Sequence, residues 1–274
     1  MNSFCFKGKK LPLGEKTYIM GILNITPDSF SDGGTHFSKE DAVKAAVDME
    51  KAGADIIDIG GQSTRPGFKQ ISKEEEWARL CDILPLVVSS VGVPVSVDTF
   101  YPYVADKALQ NGASIVNCVK DITPEMTAVV CKHNAGIILM HPGEIENKTD
   151  PAVSVHATLV DMLNRAVALG IPPENICLDP GIGFDKTNAQ CVALIKECDR
   201  IKVKGFAFLV GLSRKRVIGE LAGRDLPFME RDIETAAANL ICIMKGADII
   251  RVHNCEICAR TAAVADKLLR EKKG

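Results

Sequence analysis

Eight short, nearly uninterrupted apolar runs, each followed by a helix-length amphipathic stretch, organise the chain from Tyr18 onward. They fall at 18–23, 55–60, 94–98, 114–119, 136–141, 176–179, 206–211 and 248–253. A strand that is apolar on both sides must be covered on both sides. Recurrence of such strands after helical segments is the pattern of a parallel sheet with helical crossovers. Eight units in about 250 residues point to α/β architecture closed as a single (β/α)8 TIM barrel. Residues 1–17 read as an N-terminal extension, with Gly8-Lys9 as a hairpin turn, and 18–274 as the barrel domain.

Helix starts are marked locally. Ser38-Lys-Glu-Asp41 and Ser72-Lys-Glu-Glu75 have the form of capping boxes, each predicting one helix before the next strand. Further helices are expected from Pro102, from Thr123-Pro124, over 151–169, over 231–245, and from strand eight to about Leu269. Arg270-Glu-Lys-Lys273 then reads as a frayed, solvated end.

Composition narrows the function classes. A net charge of −2 gives no electrostatic footprint for nucleic acid or a membrane surface. No apolar run reaches membrane-spanning length. Most of the ten cysteines lie in apolar periodic segments, where a reduced thiol acts as a small hydrophobe, so the expected compartment is cytoplasmic. Cys255-Glu-Ile-Cys258 lacks the second ligand pair of a zinc site and reads as two core thiols one helical turn apart. His36, His133 and His156 fall in a loop or on helices and read as surface or packing residues.

The chemistry is expected at the C-terminal ends of the strands, where barrel enzymes build their sites. The first strand runs into the loop Gly21–Gly34, GILNITPDSFSDGG, longer than such connections need to be. Successive strand ends carry Asn24, Asp58, Asp98, Asn117, His141, Asp179, the trio Ser213-Arg214-Lys215, and Arg251 with His253. Buried charges cost several kcal/mol each unless paired, so a polar group at nearly every end implies a ligand. Asp98, Asn117, Asp179 and Lys215 suit a planar heterocycle, the carboxylates accepting and the ammonium and amide donating. Asn24, Arg65, Arg251 and His253 suit an anion, a diphosphate with a divalent cation being the natural candidate. Arg214 reads as a cap or structural pair.

The motifs MGILNITPDSFSDGG (20–34), GGQSTRPG (60–67), SVDT (96–99), LDPGIGFDKT (178–187), GLSRKRVIG (211–219) and RVH (251–253) resemble those of dihydropteroate synthases, in order and along the whole barrel. The resemblance implies condensation of 6-hydroxymethyl-7,8-dihydropterin diphosphate with 4-aminobenzoate, a transferase step of folate biosynthesis. It implies pterin contacts from Asp98, Asn117, Asp179 and Lys215. It implies diphosphate contacts from Thr64, Arg65, Arg251 and His253, with Mg2+ near Asn24. The 4-aminobenzoate site would use Phe30, Pro66, Ser213, Lys215 and Phe184, and the protein would be a homodimer. The chain departs from the family pattern at Gln62 (commonly Glu), Cys118 (Asp), Asp185 (Gly), the His141–Glu144 loop and Asn254. Two other readings are a pterin methyltransferase, which has no use for a diphosphate clamp, and a pterin-binding paralogue without turnover.

Overall fold

The computed structural model describes residues 3–26, 38–62, 70–146, 149–224 and 226–270. An antiparallel hairpin of β1 (Ser3–Phe6) and β2 (Lys9–Pro12) comes first. Eight parallel strands then close on themselves. They are β3 (Tyr18–Asn24), β4 (Ile56–Gly60), β5 (Val95–Asp98), β6 (Ile115–Cys118), β7 (Gly136–Met140), β8 (Ile176–Asp179), β9 (Ala207–Val210) and β10 (Ile249–Val252), with β10 paired to β3. The crossovers begin with α1 (Lys39–Lys51), α2 (Lys73–Leu80), α3 (Leu84–Ser90), α4 (Pro102–Gln110), α5 (Pro124–His133) and α6 (Pro151–Ala168). They continue with α7 (Asn188–Lys196), α8 (Cys198–Ile201), α9 (Arg216–Leu221), α10 (Asp232–Met244) and α11 (Cys255–Arg270). The expected (β/α)8 barrel is the fold.

Alternation along each strand divides the apolar residues into two cores. Tyr18, Met20, Ile56, Ile115, Ile138, Cys177, Leu209 and Ile249 fill the barrel interior. Their neighbours Ile19, Ile57, Val116, Ile137, Leu178, Val210 and Ile250 pack outward under the helices. Successive strand side chains point to opposite faces, so the register that fills the lower barrel with apolar residues also sets which residues face inward at its mouth. Asp58 pairs with Ser96, and Asp98 with Asn117, across adjacent strands on the inward side. Cys118 faces outward into the helix-side core, so this departure from the family pattern is not a change in the site.

The hairpin is part of the interior. Phe4 and Phe6 are fully buried and meet edge-on, their ring centroids 5.5 Å apart. A Cβ on Gly136 would lie 2.8 Å from Phe4 Cζ, so β7 starts with glycine because the ring rests on its backbone. Its turn is Lys7-Gly8, one residue earlier than expected, with φ of 45° and 74°. A two-residue hairpin turn of this hand requires positive φ at both positions. The Lys7 amide donates to Asn134 O at 2.7 Å, which ties the turn to the barrel. Phe4→Ala is expected to cost about 3–5 kcal/mol of folding free energy by denaturant titration. A loss below about 1 kcal/mol would mean that the hairpin adds nothing to the core.

Two further differences have local causes. The single helix expected after Ser72 is two, because Pro85 lacks an N–H and is tolerated only in a first turn, where it starts α3. Arg270 is not frayed: it closes α11, pairs with Asp266 at 2.8 Å and donates to Thr17 Oγ1 at 3.2 Å. The capping residues Ser38 and Ser72 start α1 and α2 as expected. His133 lies 2.7 Å from Asp106 and His156 3.0 Å from Ile201 O, both packing roles.

Candidate active site

The mouth is organised around one guanidinium. Arg251, inward on β10, donates from Nε to Asp58 Oδ2 at 2.6 Å and from Nη2 to Asp98 Oδ2 at 2.8 Å. Asn117 Nδ2 donates to the same Asp58 oxygen at 3.0 Å. Strands β4, β5, β6 and β10 are thus linked through side chains at their ends. Asp58 is wholly buried and Asp98 nearly so. The other oxygens, Asp58 Oδ1 and Asp98 Oδ1, are buried without a hydrogen-bond partner among the described residues. Burial pushes Asp98 up to about 7, opposed by Arg251 and reinforced by Asp58, Glu76 and Asp179. The two halves expected from the sequence are therefore not separate, since Arg251 of the anion group is bonded to Asp98 of the heterocycle group. Asp58 was recognisable as a strand-end residue but was placed in neither group. The alternation Ile56, Asp58, Gly60 along β4 is the signal that puts it inside.

A second wall comes from β8 and β9. Asp179 accepts from the Gly181 amide at 2.8 Å, and burial raises its carboxyl above the ordinary range. The Lys215 ammonium donates to Ile182 O and lies 4.3 Å from the centroid of the Phe184 ring. Burial lowers Lys215 to about 8, against the pull of Asp179. Gly183, at φ 86°, is required here, because a Cβ would lie 2.7 Å from Lys215 Cδ. Asp185 also adopts a left-handed backbone, φ 47°, and its exposed side chain stands at the cleft rim. Lys186 is buried beneath it, donating to Phe184 O at 3.0 Å. Burial, and then the Lys186 charge, lower the buried His141 to about 4.

Between β9 and β10, Ser213 Oγ lies 2.8 Å from His253 Nδ1 and accepts from the His253 amide at 3.0 Å. His253 falls one residue beyond β10 and meets Phe228 edge-on at 5.5 Å. Arg214 turns away to a two-point pair with Asp232, at 2.6 and 2.8 Å, and so is structural. Asn254 donates to the same Asp232 at 3.0 Å. Asn24, at the end of β3, lines the cleft opposite with Asp98, Asn117, Asp179, Lys215 and Arg251. Phe30, Thr64, Arg65 and Pro66 lie outside the described residues. Among the described residues, no group of three or more His, Cys, Asp or Glu side chains could hold a metal ion.

A closed parallel barrel whose mouth holds buried carboxylates, an amide and two cations defines the class of pterin-binding barrel enzymes. The family described as "Pterin binding enzyme" matches residues 20–253. The dihydropteroate synthase of Bacillus subtilis (strain 168) is 42% identical over 267 residues, 97% of this chain and 93% of that one. That of a Synechocystis species is 44% identical over 269 residues, 94% and 92% of the two chains. A Xanthomonas albilineans dihydropteroate synthase solved with 4-aminobenzoic acid superposes with a TM-score of 0.92 at 37% identity, covering 99% of both chains. Another structure of the enzyme from that organism, in complex with 7,8-dihydropteroate, gives 0.89 at 34%, covering 98% and 100%. The chain belongs to the dihydropteroate synthase family.

Proposed function

We propose that the chain joins 6-hydroxymethyl-7,8-dihydropterin diphosphate to 4-aminobenzoate, releasing 7,8-dihydropteroate and diphosphate. The observation that carries this reading is the buried, unpartnered Oδ1 of Asp98 in the cleft that Asp98, Asn117, Asp179 and Lys215 line. Unpaired buried acceptors are costly, and a heterocycle edge rich in N–H groups satisfies them. Asp98, Asn117, Asp179 and Lys215 form the pterin subsite. Phe184, Lys215 and Ser213 provide the described part of the acceptor wall, with Phe30 and Pro66 assigned to it by motif. Arg251, His253, Thr64 and Arg65 take the diphosphate.

The arylamine nitrogen attacks the pterin methylene carbon as its C–O bond to diphosphate breaks, and the amine then loses a proton. A neutral aniline needs no strong base, so the chain's contribution is electrostatic. Arg251 and Arg65 neutralise charge on the departing diphosphate, with His253 donating to it, while the carboxylates stabilise positive charge developing on the pterin. Asn24 offers one hard oxygen through which it would help hold a magnesium ion brought in with the diphosphate. Such an ion would supply further charge neutralisation to the leaving group.

The same reading makes 18–274 the catalytic domain, with 1–17 completing its core, and places the protein in the cytoplasm, as its free thiols suit. Among the described residues no helix is long and apolar enough to cross a membrane. Exposed Ile233 and Met244 on α10 and Val264 and Leu268 on α11 support a homodimer through these helices. Leu268→Asp is expected to shift the mass measured by light scattering from two chains towards one.

Diphosphate release by purified protein with the pterin diphosphate and Mg2+ tests the reaction. Release that depends on 4-aminobenzoate is expected, and binding without such release would overturn the reading in favour of a non-catalytic pterin binder. The methyltransferase alternative has no role for the anion group at Arg251 and His253.

A further inference from the structure

Ser213 sits in the turn after β9 that the Lys215 amide closes by donating to Leu212 O at 3.1 Å. Its hydroxyl meets His253 twice, accepting from the His253 amide at 3.0 Å and lying 2.8 Å from Nδ1. A hydroxyl has one proton to give. Among the described residues, Nδ1 is the one acceptor within reach of that proton. The buried Ser213 hydroxyl is therefore satisfied when its proton points at a bare Nδ1, which places the imidazole proton on Nε2. The ring that carries it lines the cleft with Arg251 and Lys215.

The start of α10 holds the two partners at this distance. Asp232 accepts from Arg214, the neighbour of Ser213, at 2.6 and 2.8 Å. It also accepts from Asn254, the neighbour of His253, at 3.0 Å. One carboxylate thus ties the chain beyond β9 to the chain beyond β10. An ionised aspartate at 254 could not donate to Asp232, so this departure from the family pattern supplies a bond. Arg214 has φ of 58°, a left-handed backbone uncommon for a residue with a side chain. Its amide donates to Thr235 Oγ1 at 3.1 Å and its carbonyl accepts from Arg231 Nη1 at 3.2 Å.

We propose that Ser213 is a positioning residue whose hydroxyl holds His253 as its Nε2–H tautomer, with Asp232 fixing the two at bonding distance. The consequence for catalysis rests on the reaction given above: Nε2–H is the group that donates to the departing diphosphate. The Ser213 hydroxyl is then committed to the imidazole. The residue joins the acceptor wall without hydrogen-bonding the acceptor through that group.

Nitrogen-15 NMR of the full chain, labelled at its histidine ring nitrogens, reads the tautomer directly, because protonated and bare ring nitrogens resonate far apart. The spectra are taken without ligands at about pH 8.5, above the ordinary imidazole range. The His253 signals are those lost in His253→Asn. The unsubstituted chain is expected to carry this proton on Nε2. Ser213→Ala is expected to add the signals of the Nδ1–H form, and Ser213→Thr, which keeps a hydroxyl, to lack them. Asp232→Asn should add them too, as should Asn254→Ser, a milder break of the same tie. Turnover gives the second readout. Ser213→Ala should lower kcat by about tenfold, a fraction of what one charge-stabilising donor contributes, with KM for 4-aminobenzoate within about twofold. An Nδ1–H tautomer in the unsubstituted chain, or an unchanged tautomer in Ser213→Ala or Asn254→Ser, would overturn the proposal. So would a raised KM for 4-aminobenzoate with kcat intact, the result expected of a hydroxyl that serves the acceptor. A chain that releases no diphosphate refutes the reaction, and its ligand-free spectra still decide the tautomer.

Discussion

Arg251→Ala abolishes turnover and removes about 3–5 kcal/mol of stability, the cost of breaking a buried ion pair by deleting one partner. The guanidinium is the direct cation partner of Asp58 and Asp98, at 2.6 and 2.8 Å, and without it two buried carboxylates face one another. The loss depends on pH in a definite direction. Asp98, held above its unfolded range by burial, binds more protons in the folded chain, so stability falls as pH rises through that window. Urea titration should therefore show a small deficit at pH 5 and the full deficit at pH 8. Asp58→Asn in the Arg251→Ala background should recover part of the stability and none of the activity. An Arg251→Ala protein as stable as the unsubstituted chain at pH 8 would mean that the arginine is not the keystone of the mouth.

Lys215→Met gives the opposite combination: activity falls by at least a hundredfold, an expected scale for one charge-stabilising donor, while the fold does not weaken. Burial lowers Lys215 to about 8, below its unfolded value. The folded chain then binds this proton less well, so the charged lysine opposes folding below pH 8, and its contribution rises with pH towards 10.5. An apolar side chain of similar length removes that cost. Catalysis runs the other way, because the ammonium is the useful form. Binding of the pterin diphosphate in the unsubstituted chain should weaken as pH passes about 8, and in Lys215→Met that dependence should disappear. A melting temperature several degrees lower in the variant would refute this account.

The barrel was legible because each strand is apolar enough to need cover on both sides, and because Ser38 and Ser72 announce helices with their own side chains. The strand-end polar residues were legible for the same reason: Asp98, Asn117 and Asp179 interrupt apolar runs that have no other use for them. Partnership was not legible. Nothing near Arg251 in sequence says that it is bonded to Asp58, 193 positions away, because closure of β10 onto β3 brings the two together. The role of Phe4 and Phe6 was hidden for a related reason. A four-residue strand in an extension looks peripheral until the open end of the barrel is seen to need filling. Cys118 shows the limit of reading substitutions by proximity, since one position along a strand is half a turn away from the chemistry.

The hairpin under the barrel governs traffic. With Phe4 and Phe6 filling the lower interior, the chamber formed by the described residues opens at the mouth where Asn24, Lys215 and Arg251 stand. What rests on the floor at Asp98 has to arrive before whatever sits above it. The architecture thus imposes an order of arrival on the ligands before any bond is made.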